Sequence, residues 1–79
     1  MSSAPFSVAP NPVVSELSIS FATEFSGQLT ITDMGGKVLF ETQVINQKEV
    51  NTFLDAPQGI YFVNASDKHG IKTVRIIKL

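Results

Sequence analysis

The sequence has no cysteine and no tryptophan, and only one histidine and one tyrosine. Without cysteine there is no disulfide framework, no thiolate metal site and no thiol nucleophile. The compartment stays open on that count, since many exported proteins avoid the residue. The single histidine, His69, falls in the polar tetrapeptide Asp67-Lys68-His69-Gly70 and has no second histidine with which to share a metal, so it reads as a solvated turn residue. Charge of one sign is missing too: six basic and seven acidic residues are scattered along the chain, leaving no basic stripe to neutralise a phosphate backbone. Nucleic acid is therefore excluded as a partner. No apolar run approaches the roughly 20 residues of a membrane-spanning helix, and no basic amphipathic helical face is present, so direct membrane insertion is not expected.

These absences weigh against catalysis. Nucleophilic chemistry needs a hydroxyl or thiol activated by a base that a third group orients, inside a pocket that excludes water. A chain of 79 residues with one turn histidine offers no such set, and its acids lie in turns and loops rather than converging as a hydrolytic pair. No enzyme and no cofactor are expected. Asp33, Asp55 and Asp67 could be drawn together around calcium, but each also opens a turn and their spacing is not that of a calcium loop. Asn64-Ala65-Ser66 fits the N-glycosylation acceptor, a pattern so permissive that chance accounts for it.

What the chain does contain is strand after strand. Gly59 to Ser66 and Ile71 to Leu79 are rich in β-branched and aromatic residues and are separated by Asp67-Lys68-His69-Gly70, which fits a four-residue hairpin loop with Gly70 at positive φ. Asp33-Met34-Gly35-Gly36 repeats that spacing, making Gln28–Thr32 and Lys37–Val44 a second hairpin. Glu16 to Phe21 alternates, with Leu17, Ile19 and Phe21 on one face and Ser18 and Ser20 on the other. Ala22 to Gly27 has no period and reads as a loop whose Phe25 folds back over the core. Glu49 to Leu54 alternates loosely, with Val50, Thr52 and Leu54 on one side.

Phe6 to Ala9 is a short strand ended by Pro10-Asn11-Pro12, because both prolines fix φ and withhold a donor. Short strands every eight to twelve residues with no helical period predict an all-β fold, an immunoglobulin-like antiparallel sandwich of about seven strands. Residues 1–6 read as a linker or remnant and residues 7–79 as one domain, expected to be a monomer.

Two features bear on function. The strand at Ile60 to Ala65 is apolar on both faces, so the side carrying Ile60 and Phe62 needs either a covering loop, for which Phe25 is available, or a partner molecule. The last strand, Ile71-Lys72-Thr73-Val74-Arg75-Ile76-Ile77-Lys78-Leu79, is expected to be held in the sheet, with Ile76, Ile77 and Leu79 as core side chains and Lys72, Arg75 and Lys78 as exposed charges.

Pro10-Asn11-Pro12 ahead of the Leu17/Ile19 strand, then Asp33-Met34-Gly35-Gly36-Lys37-Val38, then Gly59-Ile60-Tyr61-Phe62-Val63, then Lys72 to Lys78 appear in one order over Val8 to Leu79. Together they resemble the type A C-terminal sorting domain of cargo proteins of the type IX secretion system. Ala9 stands where that family often has an aromatic, and Met34 and Gly35 fill variable places. The resemblance implies a seven-stranded sandwich and a signal that takes an attached N-terminal cargo domain across the outer membrane of a Gram-negative bacterium. It also implies, as partners, the type IX translocon with its outer-membrane shuttle protein and a surface sortase that removes the tail. The route would run through the periplasm to the cell surface or the medium, and Met1 would be an expression start, with cargo preceding Phe6. Lys72, Arg75, Ile76, Ile77, Lys78, Leu79, Gly59 and Tyr61 are then the candidate recognition residues, and Pro10, Asn11, Pro12, Asp33, Gly36, Lys37 and Gly70 the structural motif. A carbohydrate-binding or adhesive sandwich, for which exposed aromatics are few, and a structural accessory domain of a larger enzyme are the alternatives.

Overall fold

Both Asp-x-x-Gly tetrapeptides close hairpins. In the first, Asp33 Oδ1 accepts the N–H groups of Gly35 and Lys37, each at 2.9 Å, while Gly36 N–H donates to the Asp33 carbonyl at 3.1 Å. In the second, Asp67 Oδ1 accepts the His69 N–H at 2.8 Å. Gly36 at φ +89° and Gly70 at φ +127° occupy backbone conformations that a Cβ disfavours, which is why glycine ends each turn.

The computed structural model describes residues 6–79; of the linker expected over residues 1–6, residues 1–5 lie outside the described residues, and Phe6 is instead a buried strand residue. Five strands follow in chain order: β1 (Phe6–Ala9), β2 (Glu16–Asp33), β3 (Val38–Phe53), β4 (Gly59–Asp67) and β5 (Gly70–Lys78). All ladders between them are antiparallel, and the described residues contain no helix. The fold is the expected all-β, immunoglobulin-like sandwich, with five strands rather than seven.

The count differs because β2 and β3 each run through what the sequence marks as a break. An extended strand of 18 residues would span roughly 60 Å, whereas the longest dimension of the molecule is 31 Å. The β2–β3 hairpin must therefore fold over on itself, and it does so between Ser20 and Gly27, where the register of the ladder slips twice. Asn46 supports the bend from β3. It takes φ 50°, and its main-chain N–H donates to Ser26 Oγ at 2.9 Å while that hydroxyl donates to Asn46 Oδ1 at 3.0 Å.

Folding over divides the long strands between two layers. The first half of β2 pairs with β1 and with the end of β3; its second half pairs with the start of β3 and with β4, which pairs with β5. One core forms between them, with Phe6, Leu17, Ile19 and Phe21 from the first layer against Leu29, Ile31, Val63 and Ile76 from the second. Phe25 joins it by stacking on Phe21, ring centroids 4.5 Å apart and planes within 4°. The expectation that Phe25 folds onto the core holds, but it lies on the inner side and does not cover Ile60 and Phe62.

Gly27 lets the bend close. A Cβ there would stand 2.2 Å from the Ser66 carbonyl oxygen and 2.8 Å from the Phe25 ring, so β2 could not approach β4 as it does. Gly27→Ala should cost about 1–3 kcal/mol, the usual range for forcing extra volume into a packed site. Gly36→Val and Gly70→Val meet no neighbour within 4 Å and should cost only the φ strain, about 1–2 kcal/mol each. Urea midpoints of the three variants measure this, and an unchanged midpoint for Gly27→Ala would remove the close approach as the reason for the bend.

Candidate recognition surface

β5 alternates, and its two faces have different fates. Ile76 is completely buried and Val74 half-buried, both on the inner face. Ile77 and Leu79 are 42% and 57% exposed, so the expectation of three core side chains holds for Ile76 alone. The period of two dictates this: with Ile76 inward, Ile77 must face out, beside Ile60 in the ladder. Lys78 is the opposite correction. It falls on the inner side and is only 9% exposed, its stem buried and its ammonium donating to the Leu79 main-chain oxygen at 2.9 Å. Lys72 and Arg75 are exposed as expected.

The Pro-Asn-Pro segment is more than a corner. Asn11 reaches β5 across the sequence: its Nδ2 donates to the Arg75 carbonyl at 3.3 Å and its Oδ1 accepts the Ile77 N–H at 3.0 Å. Val13, fully buried, continues the contact as a short parallel bridge, donating to the Ile77 carbonyl at 2.7 Å and accepting the Leu79 N–H at 2.8 Å. Proline brings no N–H, so between Pro10 and Pro12 the asparagine side chain supplies both a donor and an acceptor. Sequence reasoning missed this role of Asn11 and Val13. The one local signal was an amide flanked by two residues unable to donate.

The remaining motif residues act locally. Tyr61 is buried and its hydroxyl donates to the Pro57 carbonyl at 2.6 Å, pinning the loop before β4. That removes Tyr61 from any outer surface. Gly59 stands opposite Lys78 at the start of β4, and Lys37 is exposed beyond the first turn, held there through its main chain. Asp33, Gly36 and Gly70 build turns. Asp33 and Asp67, weighed in the sequence as calcium ligands, accept main-chain N–H groups of their own turns, and no three acidic or histidine side chains converge among the described residues.

On the outer face of the second layer, Arg75 stands opposite Phe62 and Ile77 opposite Ile60, an apolar strip edged by one guanidinium. Beside it runs a polar ladder: Thr73 Oγ1 donates to Asn64 Oδ1 at 2.9 Å, and Asn64 Nδ2 donates to Thr30 and Thr32, each at 3.2 Å. A family model described as a secretion system C-terminal sorting domain matches residues 7–79. The chain belongs to this family. No curated protein and no solved structure matches it. The sorting domain is the C-terminal signal of type IX secretion; it works with that machinery on a cargo domain N-terminal to it, and the protein is exported across the outer membrane. The family is non-catalytic.

Stability and exposure on β5 are thus separable. Ile76→Ala should cost about 2–5 kcal/mol, against a total of roughly 4–12 kcal/mol for a domain of this size. Asn11→Ala should cost about 1–2 kcal/mol through its two bonds to β5. Ile77→Ala and Leu79→Ala should cost less than half the Ile76 value. Thermal melts followed by circular dichroism rank the four; a Leu79→Ala variant as damaged as Ile76→Ala would contradict the facing of the strand.

Proposed function

We propose that the secretion machinery reads the folded sorting domain on the outer face of β4 and β5, through Ile60, Phe62, Arg75 and Ile77, with Leu79 at its margin and Lys72 contributing from the other side of β5, opposite Ala65. The observation that carries this is the exposure of Ile77 and Leu79 on a strand whose main chain Asn11 and Val13 hold fixed. A rigid apolar strip spends little conformational entropy on binding, and one flanking cation gives it orientation. Ile76, Lys78, Tyr61 and Gly59 serve by shaping that strand. The outer-membrane shuttle protein of the translocon is the proposed reader. A surface sortase then removes the domain, leaving cargo at the surface of a Gram-negative cell or in the medium.

Lys72→Glu/Arg75→Glu changes exposed charges and should leave the melting temperature nearly unchanged, since such charges contribute little to stability. Fused behind a periplasmic fluorescent protein in a host with the machinery, it should export poorly, and Ile60→Ser/Ile77→Ser more poorly still. Normal export of both folded variants would move recognition off this face.

The sortase cut should fall in or before residues 2–6, no later than the first residue of β1. Mass spectrometry of secreted cargo reads the position, and a mature product retaining the Leu17 to Phe21 strand would contradict it.

A further inference from the structure

Only half of β5 has its free edge closed. The contacts from Asn11 and Val13 use the outward main-chain groups of Arg75, Ile77 and Leu79. In an antiparallel strand these groups alternate sides, so Ile71 and Thr73 also aim their N–H and C=O away from β4. No strand pairs with them among the described residues, and both side chains are exposed, Ile71 at 66%.

The open half ends at a cleft. The gap between the bend of β2 and the start of β5 holds about 240 Å³. Its apolar floor is Phe21, Phe25 and Ala65, and Glu24, Asp67 and Lys72 stand at its rim. Among the stacked rings and the edge strand, main-chain hydrogen bonding and a side-chain pocket meet at one place. Strand addition uses that combination, with the backbone supplying affinity and the pocket supplying selectivity.

We infer that an extended segment of the secretion machinery pairs with β5 along Gly70 to Val74, adding a strand to the second layer and placing one apolar side chain in the Phe21/Phe25 cleft. The inference rests on the proposal that β5 is what the machinery reads, and it names the mode of reading. Lys72 and Arg75 are the charged side chains of Gly70 to Arg75, and both are exposed, so the added strand is acidic at the positions beside them. Asn11 and Val13 set the stop: a partner strand cannot advance past the Arg75 N–H, because the Arg75 carbonyl and both outward groups of Ile77 are taken.

Proline is tolerated on an edge where the N–H faces outward, so Thr73→Pro removes the docking donor and leaves the β4 ladder intact. Thr73→Val is its control, lacking only the hydroxyl bond to Asn64. In the fluorescent fusion, Thr73→Pro should melt within a few degrees of Thr73→Val yet export at least tenfold less. Equal export of the two folded variants overturns strand addition, while the proposed outer-face reading would stand if its own variants still fail to export.

Should Thr73→Pro unfold, amide exchange of the wild-type fusion decides. With detergent-solubilised outer membrane from a host that has the machinery, exchange at Ile71 and Thr73 should slow at least tenfold relative to the same fraction from a host without it. No difference overturns the inference. So does protection that is already present in the free fusion, which would assign the edge to the chain's own preceding segment, or protection that rises with concentration together with a dimeric mass, which would assign it to a second copy.

Discussion

The fold hangs on one close approach, where the β2 main chain at Gly27 passes the Ser66 carbonyl with no room for a side chain. A hairpin as long as β2–β3 would otherwise lie as a single ribbon, with one face of each strand in water. Bending it puts Leu17, Ile19 and Phe21 opposite Leu29, Ile31 and Val63 and gives a 79-residue chain without disulfides one core instead of two half-cores. Bulges at the bend provide the extra residues, and the Ser26–Asn46 pair bridges the two strands where the ladder is interrupted.

Once the layers face one another, the last strand lies next to the segment after β1, and this creates the surface that we propose the machinery reads. β5 is an edge strand, and edges left wholly open invite indiscriminate pairing. Here Asn11 and Val13 close one half and leave the other half beside the Phe21/Phe25 cleft. The buried Lys78 stem and the buried Ile76 side chain hold the strand from within, so Arg75, Ile77 and Leu79 present a fixed outer face. A sorting signal read in the folded state needs this division between residues that anchor the strand and residues that show it.

The turns and the alternating strands were legible from local sequence, because their physics is local. Asp33 bonds to N–H groups two and four residues ahead and Asp67 to the one two ahead, and Gly36 and Gly70 answer a φ requirement within the same turn. Leu17, Ile19 and Phe21 are buried, as their period of two demands. The same local logic read Ala22 to Gly27 as a loop, since register slips destroy the period even though the chain stays extended and Phe25 and Gly27 still pair with β3. Hence seven predicted strands became five continuous ones.

The sequence by itself determined the fold class, both hairpin turns, the inward stripe of β2 and, through motifs spread along the chain, the family. Tertiary structure decided the rest. Asn11 meets β5 across 64 and 66 residues of sequence, and no spacing rule links an amide to a main-chain group so remote. Nor could composition say which of Ile76, Ile77 and Lys78 would be buried: the strand alternates, but its phase is set by the β4 register, which put Ile76 and the stem of Lys78 inside and turned Ile77 to the solvent.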